Sequence, residues 1–190
     1  MIFSFLEIFA LFAGLVYVLL QVKQSIWMWP VDILCCMATI AVFAHQHLWA
    51  SMGLNIYYLV MGVVGISAWK KDEGQVQEGV LRLRRLNLRA ALYSLAGFAF
   101  SCAVLFFALG AAGDSAVVPD AFIGASGVIG TVWLVKSYPQ NWLVWIISDI
   151  VSALLCYTQG LYPMAALYLV YTVVAVVGWI KWRRDGRYIG

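Results

Sequence analysis

The chain has 190 residues, 64% of them hydrophobic and only 11% charged, with a formal net charge of +3. Soluble domains carry about 25% charged residues, so this composition excludes an ordinary water-soluble enzyme or nucleic-acid-binding module and points to an integral membrane protein. The length suits a single membrane domain over 1–190, with no second domain.

A hydrocarbon core about 30 Å thick needs about 20 helical residues. By that ruler the first span covers 3–22. It has no positive charge before Lys23 and no clear cleavage site, so it reads as a spanning helix and not as a signal peptide. The second span, 26–45, carries Trp29 and Asp32 near its start. The third, 48–69, places Asn55 and Tyr58 one turn apart. KKDEGQVQEGVLRLRRLNLR, from Lys70 to Arg89, is a charged connection with room for a short surface helix. A fourth span follows at 88–110 and a fifth at 119–136, where Gly124, Gly127 and Gly130 recur along one stripe that suits close helix packing. The sixth and seventh spans cover 140–158 and 161–181.

Positive residues near span ends are retained in the cytoplasm, and all 12 Lys and Arg residues fall in connections of one side or in the C-terminal tail. Lys23, Lys70, Lys71, Arg82, Arg84, Arg85, Arg89, Lys136, Lys181, Arg183, Arg184 and Arg187 face inward if the N-terminus is outside and the C-terminus cytoplasmic. An even number of spans would break this one-sidedness.

The first and last thirds of the chain align without a gap at a separation of 113 residues. At that offset Gly14 meets Gly127, Lys23 meets Lys136, Trp29 meets Trp142, Tyr58 meets Tyr171, Gly65 meets Gly178 and Trp69 meets Trp182. The expected fold is therefore all-α, with seven transmembrane helices in two parallel three-helix repeats, 3–69 and 119–182. The segment 70–118 between them supplies a cytoplasmic loop, a linker helix and an outer loop. Parallel repeats of this kind are a transporter architecture, with the site expected near mid-membrane between the halves.

The sixth span opens on NWLVWIISD, which sets Trp142, Trp145 and Asp149 at i, i+3 and i+7 on one helix face. An acid near a helix centre costs about 2.5–3.5 kcal/mol on insertion scales, so it is normally turned toward a cavity or partner. Asp149 lies near the middle of its span, Asn55 at a comparable depth, and Tyr58 and Tyr171 at equivalent places in the two repeats. Indole and phenol rings attract an aromatic cation, while carboxamide, phenol and carboxylate groups bond hydroxyls and amides. Asp32 is shallower, where pairing with a cytoplasmic Lys or Arg is the alternative to ligand contact.

Trp27, Trp69, Trp179 and Trp182 stand next to basic loops and read as interfacial anchors. Cys35, Cys36, Cys102 and Cys156 lie in apolar runs without C-x-x-C spacing and read as free buried thiols. His45 and His47 lack a nearby acid and make no metal site. No nucleophile–base pair and no phosphate-cradling loop is present, so the reading is a transporter and not an enzyme, with no cofactor. A membrane-embedded enzyme using Asp32 and Asp149, or a narrow channel, are the competing classes.

NWLVWIISDIVSALLCYTQGLYPMAALYLVYTVVAVVGWIKW (141–182) and HLWASMGLNIYYLVMGVVGISAW (47–69) resemble the corresponding segments of the PnuC family of bacterial vitamin transporters, whose fold is related to that of SWEET sugar transporters. The resemblance covers nearly the whole chain. It implies a homotrimer in the bacterial inner membrane importing a small vitamin, typically nicotinamide riboside. Transport would be facilitated diffusion by alternating access, with cytosolic phosphorylation trapping the vitamin; thiamine is the alternative cargo within the family. It further implies substrate contacts at Trp142, Trp145 and Asp149, to which the residue reading adds Trp29, Asp32, Asn55, Tyr58 and Tyr171. Asn55 stands where many riboside transporters of the family have Gln.

Overall fold

A computed structural model describes residues 2–45, 47, 49–72, 80–113 and 115–189, with backbone alone for 2–11 and 50. The elements in chain order are α1 (Ile2–Val22), α2 (Met28–His45), α3 (Trp49–Lys71), β1 (Leu81–Leu83), α4 (Leu88–Ala111), α5 (Val117–Val135), α6 (Asn141–Thr158), α7 (Tyr162–Asp185) and β2 (Gly186–Tyr188). Apart from the C-terminal end of α7, the seven helices match the seven expected spans to within a turn, and α2 to α7 are each long and apolar enough over their described residues to cross a bilayer. Helix α7 outruns its expected end at 181. Its last turn carries Arg183 and Arg184, and cations there complement the partial negative charge of a helix C-terminus, so the first basic residue is no reason to stop.

The chain divides into two compact units, Met1–Leu81 and Arg82–Gly190. In the first, α2 packs against both α1 and α3; in the second, α5 packs against α4 and α6, and α6 against α7.

The corners joining α1 to α2 and α5 to α6 share one set of backbone hydrogen bonds at the 113-residue offset. The Gln24 N–H donates to the Gln21 carbonyl and Ser25 to Leu20, as Ser137 does to Leu134 and Tyr138 to Trp133. Gln24 (φ 51°) and Ser137 (φ 55°) both adopt the left-handed conformation, uncommon for residues with a Cβ. The next corners match as well, with His47 at φ 58° and Gly160 at φ 76°.

The tryptophans near the basic ends correct the sequence reading. Trp27 is 69% exposed, as an anchor should be, but Trp69 is only 2% exposed and Trp182 fully buried. Trp69 meets Trp29 edge-on at 5.1 Å between ring centroids, and Trp182 meets Trp142 at 5.5 Å. Such pairs contribute about 0.5–1.5 kcal/mol beyond the area they bury. The space comes from glycine: the Trp29 ring occupies the volume a Cβ on Gly65 would need, and the Trp142 Cε2 lies 2.6 Å from where a Gly178 Cβ would stand. On α3 the residues Asn55, Tyr58, Gly62, Gly65 and Trp69 form one stripe; on α7 the equivalent stripe is Tyr168, Tyr171, Ala175, Gly178 and Trp182. Tryptophan at a basic boundary reads as an anchor because local sequence cannot show that a glycine on the same helix leaves room for a second indole.

The connection after α3 also departs from expectation. Residues 73–79 of it, where a short surface helix had room, lie outside the described residues, and Leu81–Leu83 forms strand β1, paired with β2. LRL alternates, with Leu81 and Leu83 buried and Arg82 half-buried between them, the period of a strand. The Ile189 N–H donates to the Leu83 carbonyl at 2.8 Å, and the Arg84 N–H to the Ser137 carbonyl at 3.1 Å, tying the segment to the α5–α6 corner.

Gly178→Val should force the Trp142 ring out of its seat and lower stability by about 1–3 kcal/mol, the usual cost of overpacking. Thermal unfolding in detergent reads this, and Trp142→Ala in the same chain should restore part of the loss; an unchanged Tm for Gly178→Val alone would show that the ring is free to move.

Candidate functional site

In unit 2 the polar residues of α6 collect on one side. At 100° per residue, Trp145, Ser148, Asp149, Ser152 and Cys156 fall within one face. Ser148 and Ser152 are buried, and the Ser152 hydroxyl donates to the Ser148 carbonyl at 2.9 Å, leaving its hydrogen-bonding capacity inside the helix. Asp149, at the midpoint of α6, is half-buried, and among the described residues no cation pairs with it.

Trp145 owes its place to α5. Its Cζ2 lies 2.9 Å from where a Cβ on Gly130 would be, which explains one glycine of the 124/127/130 stripe. Its Nε1–H is buried with no hydrogen-bond partner. A buried donor left unsatisfied costs about 1–3 kcal/mol, and the described residues supply this N–H no acceptor. From α7, Tyr168 lies within electrostatic reach of Asp149, Cys156 and Asp120, and its ring stands 6.2 Å from that of Tyr171.

Trp142 is differently placed from Trp145. Fully buried under Trp182 and Gly178, it packs α6 onto α7, and its Nε1–H also lacks a partner. The asparagine before it, Asn141, is fully buried and donates from Nδ2 to the Tyr138 carbonyl at 2.6 Å, which fastens the corner at the head of the helix.

Unit 1 holds a second polar cluster. Asp32 accepts from the Cys36 thiol at 3.9 Å and meets no Lys or Arg among the described residues, so the alternative of a cytoplasmic ion pair is not realised. Gly62 of α3 lies opposite, with the place of its Cβ 3.7 Å from Asp32 Oδ2. Tyr17 of α1 interacts electrostatically with Asp32, Cys36 and Tyr58. Asn55 spends its amide locally, donating to the Ser51 carbonyl at 3.0 Å, and Trp29 is fully buried in the packing already described.

The two clusters are related by exchange. At the 113-residue offset Asp32 stands where unit 2 has Trp145, Cys36 where it has Asp149, Tyr17 where it has Gly130, and Asn55 where it has Tyr168. One unit lays an indole from α6 on a glycine of α5; the other has a small acid on α2 and a phenol on α1. Sequence reasoning missed Tyr17 and Tyr168. The signal was present, because each is the repeat partner of a residue already singled out, in the glycine stripe or at Asn55.

Comparison with known proteins places this arrangement. A family profile described as "Nicotinamide mononucleotide transporter" matches residues 4–184. The nicotinamide riboside transporter PnuC of Escherichia coli (strain K12) is 27% identical over 171 residues, covering 77% of this chain and 71% of that protein. The riboflavin/roseoflavin transporter RibM of Streptomyces davaonensis is 23% identical over 180 residues, covering 92% of this chain and 84% of that one. A crystal structure of the vitamin B3 transporter PnuC shares the fold, with a TM-score of 0.73 at 21% identity over 95% of this chain and 81% of that one. A membrane fold of seven helices and a profile match over nearly the full length converge on one statement: the chain belongs to the nicotinamide mononucleotide transporter family, and is a multi-pass membrane transporter, not an enzyme.

Proposed function

We propose that this transporter carries nicotinamide riboside, and that Trp145 and Asp149 make the direct contacts. The observation that carries this is a carboxylate at the middle of a spanning helix with no cation paired to it among the described residues, one turn from an indole whose N–H is unpartnered. A charge in that position is costly unless compensated. Nicotinamide riboside brings a cationic aromatic ring, which an indole face attracts by about 0.5–2 kcal/mol, and a hydroxylated arm for the phenols and amides. Thiamine is likewise an aromatic cation and is the second reading. The riboflavin carried by the Streptomyces relative has no such charge, so the carboxylate argues against it here.

Tyr168 and Tyr171 add to the polar set of unit 2, and Asp32, Tyr58 and Asn55 form that of unit 1. Trp142 and Trp29, seated on glycines, hold the helices that present them. Binding alternates between an outward-open and an inward-open state, and a facilitator must bind its cargo about equally in both, since unequal affinity would trap one of them. Uptake is downhill and made effective by cytosolic phosphorylation. The protein is a homotrimer in the bacterial inner membrane, and the one-sided distribution of Lys and Arg supports an outside N-terminus and a cytoplasmic C-terminus.

Titration of purified protein with nicotinamide riboside, thiamine and riboflavin, followed by intrinsic Trp fluorescence, tests the assignment. Trp145→Ala and Asp149→Asn should each weaken riboside binding at least tenfold, or about 1.4 kcal/mol, with the oligomer intact; unchanged affinity in both removes them from the site. In proteoliposomes, uptake should level off at equal concentrations on the two sides and ignore an imposed pH gradient. Accumulation above the outside concentration would show a coupled ion instead.

A further inference from the structure

On the side of α6 away from Trp145 and Asp149, unit 2 contains a groove of roughly 330 Å³. Its walls are apolar and come from three helices, with Leu95 and Phe98 of α4, Phe122 and Ile129 of α5, and Val144 and Ile147 of α6. The Trp133 indole in its wall donates at 2.8 Å to the Ser94 hydroxyl, which itself donates to the Ala90 carbonyl at 2.8 Å, so that donor is already used. Helix α4 has no buried residue among those described. A groove of this kind, on a spanning helix, suits hydrocarbon and not a polar vitamin.

Beyond one end of the groove the chain carries polar and basic residues. Ala91 and Ser94 lie in the first turns of α4, Trp133 in the last turn of α5, and Val144 in the first turn of α6, so all three helices meet there. Lys136, three residues after Trp133, is exposed and has no acidic partner among the described residues. The bond from the Arg84 N–H to the Ser137 carbonyl brings the segment before α4 to the same corner, where the Arg85 guanidinium lies 5.4 Å from the centre of the Tyr188 ring. Gln140 continues the α6 stripe of Val144 and Ile147 by one turn, and its Oε1 is buried with no hydrogen-bond partner. Its amide can be turned either way to donate or accept.

We propose that this groove is a binding site for an anionic phospholipid, with one acyl chain along α4, α5 and α6, the phosphate against Lys136 and Arg85, and the Gln140 amide bonded to the headgroup. Apolar walls followed along the chain by the Lys136 ammonium, the Arg85 guanidinium and an unsatisfied amide oxygen are complementary to a lipid whose chain, phosphate and hydroxyls follow in that order. A lipid held here would brace α4, which within unit 2 packs against α5 alone among the described helices.

Native mass spectrometry of the purified protein with added phosphatidylglycerol or phosphatidylcholine tests this. Phosphatidylglycerol should be retained, and at least fivefold better than phosphatidylcholine. Ala91→Phe, which fills the groove, should cut its retention at least fivefold. Lys136→Gln leaves the groove intact and should bring phosphatidylglycerol down to the level of phosphatidylcholine, so the proposal remains testable if Ala91→Phe does not fold. Equal retention of the two lipids, or lipid binding untouched by Lys136→Gln, overturns it. So does an Ala91→Phe protein that keeps its lipid but changes oligomeric mass, because the groove would then be occupied by a second copy of the chain.

Discussion

An indole can lie flat against a neighbouring helix only where that helix lacks a Cβ, and this chain meets the condition in each of its halves. In lipid the hydrophobic effect does not drive helices together, because acyl chains are as apolar as leucine; close packing must do it. Trp29 on Gly65 and Trp142 on Gly178 bring α2 to α3 and α6 to α7. Trp69 and Trp182, four residues after each glycine, close over the rings edge-on. Each half thus has one rigid end, built next to the conserved geometry of its corner, where Gln24 and Ser137 share a left-handed backbone and the same hydrogen bonds.

That rigidity lets the other parts of the stripes diverge. Beyond Gly65 the α3 stripe continues to Gly62, Tyr58 and Asn55; beyond Gly178 the α7 stripe continues to Ala175, Tyr171 and Tyr168. At the same depth the exchange of Asp32 and Tyr17 for Trp145 and Gly130 preserves approximate bulk while changing chemistry. A duplicated scaffold can keep its packing in both copies while the polar residues beside it differ. The polar groups in these linings are poorly satisfied by the protein itself. Asp149 and Asp32 find no cation among the described residues, and the Trp145 N–H finds no acceptor. Each such group buried in a low-dielectric medium is costly, and functional sites are where that cost persists.

The groove on the far side of α6 shows the same helix serving two environments. Its Val144 and Ile147 line hydrocarbon-like walls, whereas Asp149, two residues after Ile147, lies within electrostatic reach of Tyr168. Helical periodicity separates the two without any change in backbone.

Much was determined by the sequence by itself. Seven spans, their boundaries to within a turn except at the end of α7, and the 113-residue repeat follow from hydrophobic run lengths and from gapless pairs such as Trp29 and Trp142, because a bilayer imposes a fixed length and a helix a fixed rise. Asp149 stood out for the same reason, as a charge where the medium penalises charge. Only the tertiary structure decided that Trp69 and Trp182 are packing residues and not anchors, that Gly130 exists for Trp145, and that Leu81–Leu83 is a strand pinned by Ile189 and Ser137. Those outcomes depend on which atoms of distant residues come within a few ångströms, and a linear pattern encodes a residue's own preference but not the shape of the space its neighbours leave.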